Sequence, residues 1–334
     1  MSLRAKRLTV ASYPGQRRFR TVIIGTVVAA CAALLGLYAY SGLYGINAVL
    51  RHGGTIWLTV KPDDARLSPS MRLALSESPP QAEPGKFEWQ QIQDGFEAAE
   101  LPVIAAGREA DRLYLARVNP RRFSFTVRNA PAGDMELGDW MTSLGAALVI
   151  NGSYFSLRGE PDTPLKSEGS LLGPKDYTAK HGAFVSSADF TAVLDLEKTG
   201  WPQAFGKARN AMISYPLLIR QADPVQITKS RWLANRSFVG QDRERCIIFG
   251  TTAGAFFTLH DLAAFLASAP LGLTLALNLD GGPVACQGIS LAGFRRDVCG
   301  KWELAEERGR LKLLSWVFGS RRAALPVVLA VLRK

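Results

Sequence analysis

Histidine and cysteine are scarce in this chain. Three histidines and four cysteines are dispersed over 334 residues, with no C-x-x-C spacing, which argues against a zinc site of the usual ligand pattern. Basic patches with interleaved aromatics are also missing, so the net charge of +11 does not point to a nucleic-acid partner. The positive excess is uneven. Arg4, Lys6, Arg7, Arg17, Arg18 and Arg20 carry +6 ahead of residue 21 with no acid among them, which leaves +5 for the remainder. No internal repeat is visible.

Charge is absent altogether from residues 21–50, TVIIGTVVAACAALLGLYAYSGLYGINAVL. A bilayer-spanning helix needs about 20 apolar residues, and residues 21–40 supply them. Tyr38, Tyr40 and Tyr44 stand at the distal end, where an interfacial aromatic belt belongs. Because the basic residues precede the run, the N-terminus is expected in the cytoplasm and the remainder in the periplasm or outside the cell. A cleaved signal peptide has a shorter apolar region, about 7–15 residues, ahead of a small-x-small site. This run is longer and shows no convincing site, which favours an uncleaved single-pass anchor in the inner membrane. Arg17-Arg18-Phe19 carries a weak twin-arginine signal.

Cys31 lies inside the apolar run and reads as a small apolar residue. Cys246 opens the apolar segment CIIFGTT, a candidate buried strand. Cys286 and Cys299 flank a 12-residue stretch; in an oxidising compartment the pair is either a disulfide or two free thiols.

The expected organisation is a basic cytoplasmic segment over 1–20, an anchor over 21–43, a linker or lead-in over 44–86, and a catalytic-type domain over 87–334. Residues 61–90 hold five prolines, at 62, 69, 79, 80 and 84, among Ser, Glu and Gln, which suits a linker or an irregular lead-in. Beyond it, RLYLARVN and RFSFTVRN alternate as half-buried strands do. A short helix is expected over 136–146, a buried strand over 146–152, and a hairpin over 182–196. TLHDLAAFLAS has the clearest helix signature: Thr258 is a good N-cap, Asp261 completes a capping-box variant, and Leu259, Leu262, Ala263 and Leu266 share one face. The tail ALPVVLAVLRK is too short to span a bilayer and reads as a final buried strand. Strands outnumber helices and mix with them irregularly, which predicts an α+β fold with a mixed sheet core.

Five segments can carry chemistry, and each has a plainer alternative. In LNLDGGP a strand delivers Asn278 and Asp280 onto Gly281 and Gly282, which bring a carboxylate to a sheet edge and allow close backbone approach; a tight surface turn has the same sequence. INGSYFS ends a strand at Asn151-Gly152 and presents Tyr154 and Phe155, either for stacking on a sugar or as an aromatic-capped turn. SEGSLLG places Glu168 for a cleft or for solvent. NRSFVGQD carries Arg236, able to clamp a phosphate bidentately, and Asp242. In MISYPLLIR, Ser214 and Pro216 break an otherwise central strand, so the segment must bulge or lie at an edge.

Taken in order, NGSYF, SEGS, ISYPLLI, RSFVGQD, the TLHDLAAFL helix and LNLDGGP resemble the phosphodiester glycosidase family, whose members look like N-G-G-Y-F, a G-P-L-L element, R-T-A-I-G-x-D, a T-x-x-E-L-A helix and A-L-N-L-D-G-G-G-S-S. The resemblance runs from about residue 110 to the end. It implies hydrolysis of a sugar-1-phosphodiester of the N-acetylglucosamine type, with Asn151, Gly152, Tyr154, Glu168, Arg236, Asp242, Asn278, Asp280, Gly281 and Gly282 on the family's motifs. Asp280 and Glu168 are then the expected carboxylate pair, because glycosidases use an acid at the leaving oxygen and a second carboxylate as base or nucleophile. Arg236 and backbone amides near Gly281-Gly282 are expected to hold the phosphate. Asn151 is expected on a sugar hydroxyl. Asp242 is expected either to orient Arg236 or to bind a divalent cation, with Asp280 the other candidate metal ligand.

Three departures from the pattern stand out. Ser153 replaces the second glycine of N-G-G-Y-F, Pro283 replaces the third glycine after the aspartate, and VACQ replaces a hydroxyl-rich stretch. They keep a second function class open, a tethered, non-catalytic carbohydrate-binding or assembly factor on the same fold.

Overall fold

The structure, a computed structural model, describes residues 14–318 and 322–334. Arg4, Lys6 and Arg7 of the basic segment and Arg321 of the tail lie outside the described residues. The fold is α+β, with the β-strands arranged in four sheets.

The uncharged run forms the helix Pro14–Leu50, long and apolar enough over Arg18–Leu50 to cross a membrane by length and composition. Gly42 interrupts it with φ 61° and ψ −158°, a backbone that glycine adopts without steric cost. The part before Gly42 is bare of protein contacts over most of its length, and the part after it lies against the domain.

The stretch read as a linker is folded. Thr55–Val60 is a strand paired along its length with Arg310–Trp316, in a four-stranded sheet completed by Glu303–Glu307 and Leu233–Ala234. Pro69–Ala74 is a helix whose Ser68 side chain caps the Met71 N–H. Val60, Leu67, Met71 and Leu75 are buried together with Leu304 and Leu313. Prolines punctuate this lead-in because it turns repeatedly over the domain surface; four buried apolar side chains are enough to hold it there.

The largest sheet has nine strands and runs through the centre. Leu273–Asn278 lies within it, hydrogen-bonded between Leu217–Arg220 and Ser237–Asp242. The expected helix forms as Leu259–Ser268, capped by Thr258, and buries Leu262, Phe265 and Leu266 against Leu218, Phe238 and Ile248 of this sheet. The opposite face packs on two five-stranded sheets through Phe96, Phe125, Phe184, Phe249 and Leu277. One of those sheets takes the C-terminal strand Val327–Arg333 between Leu148–Asn151 and Phe123–Asn129. The other holds the hairpin Gly182–Ser186 and Thr191–Asp195 beside Asn210–Ser214.

MISYPLLIR carries the expected irregularity, a register shift between Leu217 and Ile219 against Leu273–Asn278, but it is not one strand. The chain leaves one sheet at Ser214, passes the cis peptide Tyr215–Pro216, and enters the nine-stranded sheet at Leu217. Proline lacks the donor a continuous central strand needs, so the segment divides between two sheets.

Cys286 and Cys299 face each other in register on paired strands and form a disulfide. Cys246 is a buried free thiol and Cys31 an exposed one on the long N-terminal helix.

Candidate active site

The strands Leu148–Asn151 and Leu273–Asn278 belong to different sheets, and their C-terminal ends meet. The Asp280 N–H donates to Gly152 O at 3.0 Å, and the Leu279 N–H to Ser237 O at 2.9 Å. Asn151 Nδ2 donates to Asp280 O at 2.8 Å while its Oδ1 accepts from the Cys286 N–H at 3.1 Å. Asn151 is therefore spent on backbone: it locks the Asp280 turn to the disulfide strand. The sugar-hydroxyl role expected for it is corrected, since the residue is buried and engaged at both ends. Gly152 is required by space, because a Cβ there would overlap Val327 Cγ1.

Asp280 is half-buried at one wall of a cavity of about 210 Å³, shared with Gly281, Val284, Glu303, Tyr44 and Phe155. Burial, then the charge of Glu303, push its carboxyl up to about 7; Asp162 adds to this, and the Gly281 N–H and Arg236 oppose it. Burial likewise raises Glu303, against the Trp232 indole N–H and the charge of Arg236. Trp232 Nε1 donates to Glu303 Oε1 at 3.0 Å. Two carboxyl groups thus face one cavity with their proton affinities raised by common causes.

Glu303 was not singled out from the sequence, where it stands in the unremarkable segment KWELAEE. Its delivery depends on Asn235, the residue before Arg236. Asn235 Oδ1 accepts from the N–H groups of Lys301 and Trp302 at 2.9 and 3.0 Å, its N–H donates to Trp302 O, and its own carbonyl accepts from the Gly282 N–H. One buried asparagine thereby pins the Glu303 strand to the Asp280 turn. Gly282, at φ 69°, completes the approach: a Cβ on it would overlap Glu303 Oε2.

Arg236 is 6 % exposed. Its Nε and Nη2 donate to Phe257 O at 3.3 Å and Trp232 O at 2.7 Å. Burial lowers its pKa, and Tyr154, Glu303 and Asp280 raise it. The expected bidentate clamp is corrected, because two of its nitrogens are committed to carbonyls. What it supplies is a fixed positive charge beside the carboxyl pair. The amides of Gly281 and Gly282 are committed too, to Asp280 Oδ1 at 2.8 Å and Asn235 O at 2.9 Å, so they are not free to cradle a phosphate.

Tyr154 and Asn278 lie beside this group. Asn278 Nδ2 donates to the Tyr154 hydroxyl at 2.7 Å and to Tyr215 O at 3.1 Å, while Asn278 Oδ1 is a buried acceptor without a partner. Tyr154 stacks on Tyr215, which stacks in turn on His181. Burial and the Asp280 charge raise the Tyr154 pKa.

Two expected residues stand elsewhere. Glu168 occupies the turn between Leu165–Ser167 and Ser170–Leu172 at φ 49°. Its carboxylate takes hydrogen bonds from Thr126, Asn210 and Arg209 and an ion pair from Arg128. Burial pushes its pKa up, but these donors outweigh burial and hold it at about 2. It is a structural crosslink, and Glu303 replaces it as the partner of Asp280. Asp242 accepts from Arg117 Nε at 2.6 Å and from the Cys246 N–H at 2.8 Å. It orients Arg117, not Arg236, and these contacts occupy it as a metal ligand. Among the described residues, no group of three or more His, Cys, Asp or Glu is arranged to hold a metal ion.

The departures from the family pattern are absorbed without opening the site. Ser153 is buried, with its N–H on Met212 Sδ and its hydroxyl 3.3 Å from that of Thr163. Pro283 lies buried in the short 3-10 turn Gly282–Val284. Gln287 turns away to Tyr114 O and Arg296.

Residues 144–285 match the model of the phosphodiester glycosidase family, so the resemblance carried by the ordered motifs holds over that stretch. No curated protein matches the chain. Among solved structures, the chain is similar to the catalytic domain of zebrafish N-acetylglucosamine-1-phosphodiester alpha-N-acetylglucosaminidase, auto-inhibited by its pro-peptide: 17% identity, 84% of this chain, 88% of that chain and a TM-score of 0.47. A hypothetical protein from Synechocystis gives 16% identity, 75% of this chain, 64% of that chain and a TM-score of 0.48.

Proposed function

We propose that this chain, with the phosphodiester glycosidase pattern over residues 144–285, is an exported, membrane-anchored hydrolase that cleaves a sugar-1-phosphodiester of the N-acetylglucosamine type in an envelope or extracellular glycan. The observation that carries the reading is the pairing of Asp280 with Glu303 in one cavity beside the buried cation Arg236. The apolar helix and the Cys286–Cys299 disulfide support an anchored domain in an oxidising compartment.

The two carboxyls have unequal environments, and unequal environments divide acid from base. Asp280, held near 7, is protonated in a large share of molecules at neutral pH, and that proton goes to the leaving phosphate oxygen. Burial raises Glu303 as well, but the Trp232 N–H and the charge of Arg236 oppose that rise, and in its ionised form Glu303 supplies the negative charge that faces the anomeric carbon. A phosphodiester is an anion entering an acid-lined cavity. The proton on Asp280 therefore also removes a repulsion that would oppose binding.

The test is hydrolysis of an N-acetylglucosamine-1-phosphodiester by the full chain in detergent, with and without EDTA. Asp280→Asn and Glu303→Gln are each expected to lose at least a hundredfold in kcat/KM. A folded protein that binds the phosphosugar and turns over none of a panel of related diesters would instead establish a non-catalytic binding factor.

A further inference from the structure

The anchor helix ends at the mouth of the site. Its last two turns, after the Gly42 break, are fixed to the domain: Asn47 Nδ2 donates to Ala132 O at 2.8 Å, the two ring nitrogens of His52 lie 3.0 Å from the carbonyls of Gly133 and Arg322, and Tyr44 packs edge-on against Phe155. Tyr44 and Ala48, four residues apart on one helical face, and His52 in the turn just after the helix line the same cavity as Asp280 and Glu303. On the other side of the break, Arg158 Nη2 donates to Ala39 O at 2.9 Å, clamping the end of the apolar run to the loop after Tyr154 and Phe155. The domain cannot swing freely on such a joint. Whatever surface the helix enters, the cavity stays beside it.

Exposed apolar side chains border this joint, alongside Arg51, Arg158 and Arg322. Leu43 and Leu50 project from the helix at 57 % and 58 % exposure, and Ile56 and Trp57 follow on the first strand after it at 46 % and 44 %. Val317 and Phe318, at 44 % and 66 %, end the strand paired with that one, and the Val317 N–H donates to Gly54 O. Scattered apolar residues on a surface need no account, but these make a collar of apolar positions in the segments that border the end of a helix long and apolar enough to span a bilayer. Trp and Phe at that level sit where an amphipathic ring or apolar side chain partitions into the headgroup–acyl boundary.

We infer that the collar is a membrane-interface face that holds the cavity at the bilayer surface, and that the substrate is a lipid-linked glycosyl phosphodiester, a sugar joined through its phosphate to a lipid embedded in the same membrane. This rests on the hydrolase reading for the substrate, and on the joint and the collar for the membrane face. In the reaction the bond between the anomeric carbon and the phosphate oxygen breaks, Asp280 gives its proton to the leaving phosphate oxygen, water supplies hydroxyl to the anomeric carbon and its remaining proton restores the carboxyl pair, and the phosphorylated lipid remains in the bilayer.

The full chain in vesicles of phosphatidylethanolamine and phosphatidylglycerol tests both parts. In a Cys31→Ala background, Trp57→Cys and Phe318→Cys are labelled with an environment-sensitive fluorophore, beside Asp94→Cys and Lys198→Cys as exposed positions outside the collar. Spin-labelled acyl chains are expected to quench the two collar labels at least threefold more than the two outer ones. Equal quenching at all four overturns the membrane face, and this readout needs no catalysis. In the same vesicles, the N-acetylglucosamine-1-phosphodiester of a long-chain lipid is compared with that of a short, water-soluble alcohol. The double variant Trp57→Glu, Phe318→Glu is expected to lose tenfold or more in kcat/KM on the lipid substrate and less than twofold on the soluble one. Equal loss on both, or turnover of the soluble diester alone by the unmodified chain, overturns the lipid aglycone. Turnover of neither removes the hydrolase reading and the lipid aglycone with it, while the quenching still decides the membrane face.

Discussion

Gly282 is in contact with Glu303 at a position that strains any other residue: its φ is 69°, and a Cβ would overlap Oε2 of the carboxylate. The second glycine of LNLDGGP is thus explained by the partner of Asp280, a residue 21 positions further along the chain. Gly282→Ala should displace Glu303 from the pair. An ångström of misplacement at a reacting group costs about a hundredfold in rate, and an L side chain at this φ costs about 1–2 kcal/mol. Steady-state kinetics with a parallel thermal melt check both; unchanged kcat/KM would show that Glu303 takes no part in the chemistry.

The pH profile should follow the carboxyl pair. Asp280 titrates near 7 in the folded protein, so kcat/KM is expected to fall as pH rises through that value and the proton that serves the leaving oxygen is lost. On the acid side it should fall as Glu303 is neutralised. The apparent values belong to the pair as a unit. A pH–rate profile flat from 6 to 9 would remove Asp280 as the acid.

Stability should move with pH in a related way. The folded pKa of Asp280 is raised from 3.8 to about 7, so the folded state holds the proton more tightly than the unfolded chain does. The stability this contributes is fully present below 3.8 and is lost as pH rises through about 7. Asp280→Asn removes that loss. At pH 8 the variant should be more stable than the unmodified chain, on the order of 2–4 kcal/mol, while inactive. Urea denaturation at pH 5 and pH 8 gives the comparison.

Glu168 should behave in the opposite sense. Its carboxyl is held at about 2 in the folded protein against an ordinary 4.5, so its contribution is present above 4.5 and is lost as pH falls through about 2. Glu168→Gln leaves Arg128 and Arg209 without their anion and should cost about 1–2 kcal/mol at pH 7, discounted for partial exposure, and nearly nothing at pH 2. Activity of the folded variant should stay within about threefold. A hundredfold loss would return Glu168 to the catalytic pair.

Asn151→Ala removes the side chain that joins the Asp280 carbonyl to the Cys286 amide. Two buried backbone groups lose their partner, at about 1–3 kcal/mol each. The loss should appear in kcat more than in KM, because the residue positions Asp280 and touches no substrate.

The sequence by itself determined the local elements and the identity of one half of the site. An uncharged run of 30 residues makes a helix whatever follows it, Thr258 and Asp261 cap the Leu259–Ser268 helix by contacts three residues apart, and a strand that ends in Asp-Gly-Gly presents Asp280 at its sheet edge. These features depend on neighbours in the chain, so period, caps and turn chemistry reveal them. Tertiary structure decided which carboxylate joins Asp280. Glu168 and Glu303 look alike as residues in sequence, and Glu168 stands in the more suggestive motif. The difference lies in what surrounds each: Glu168 meets Arg128, Arg209 and Asn210, which hold it ionised, whereas Asn235 brings the Glu303 strand against Gly282, where burial raises it. Only the fold could also show that residues 44–55 close one side of the cavity instead of serving as a linker. A charge acts through space and a proton affinity reports local solvation, and neither is set by distance along the chain.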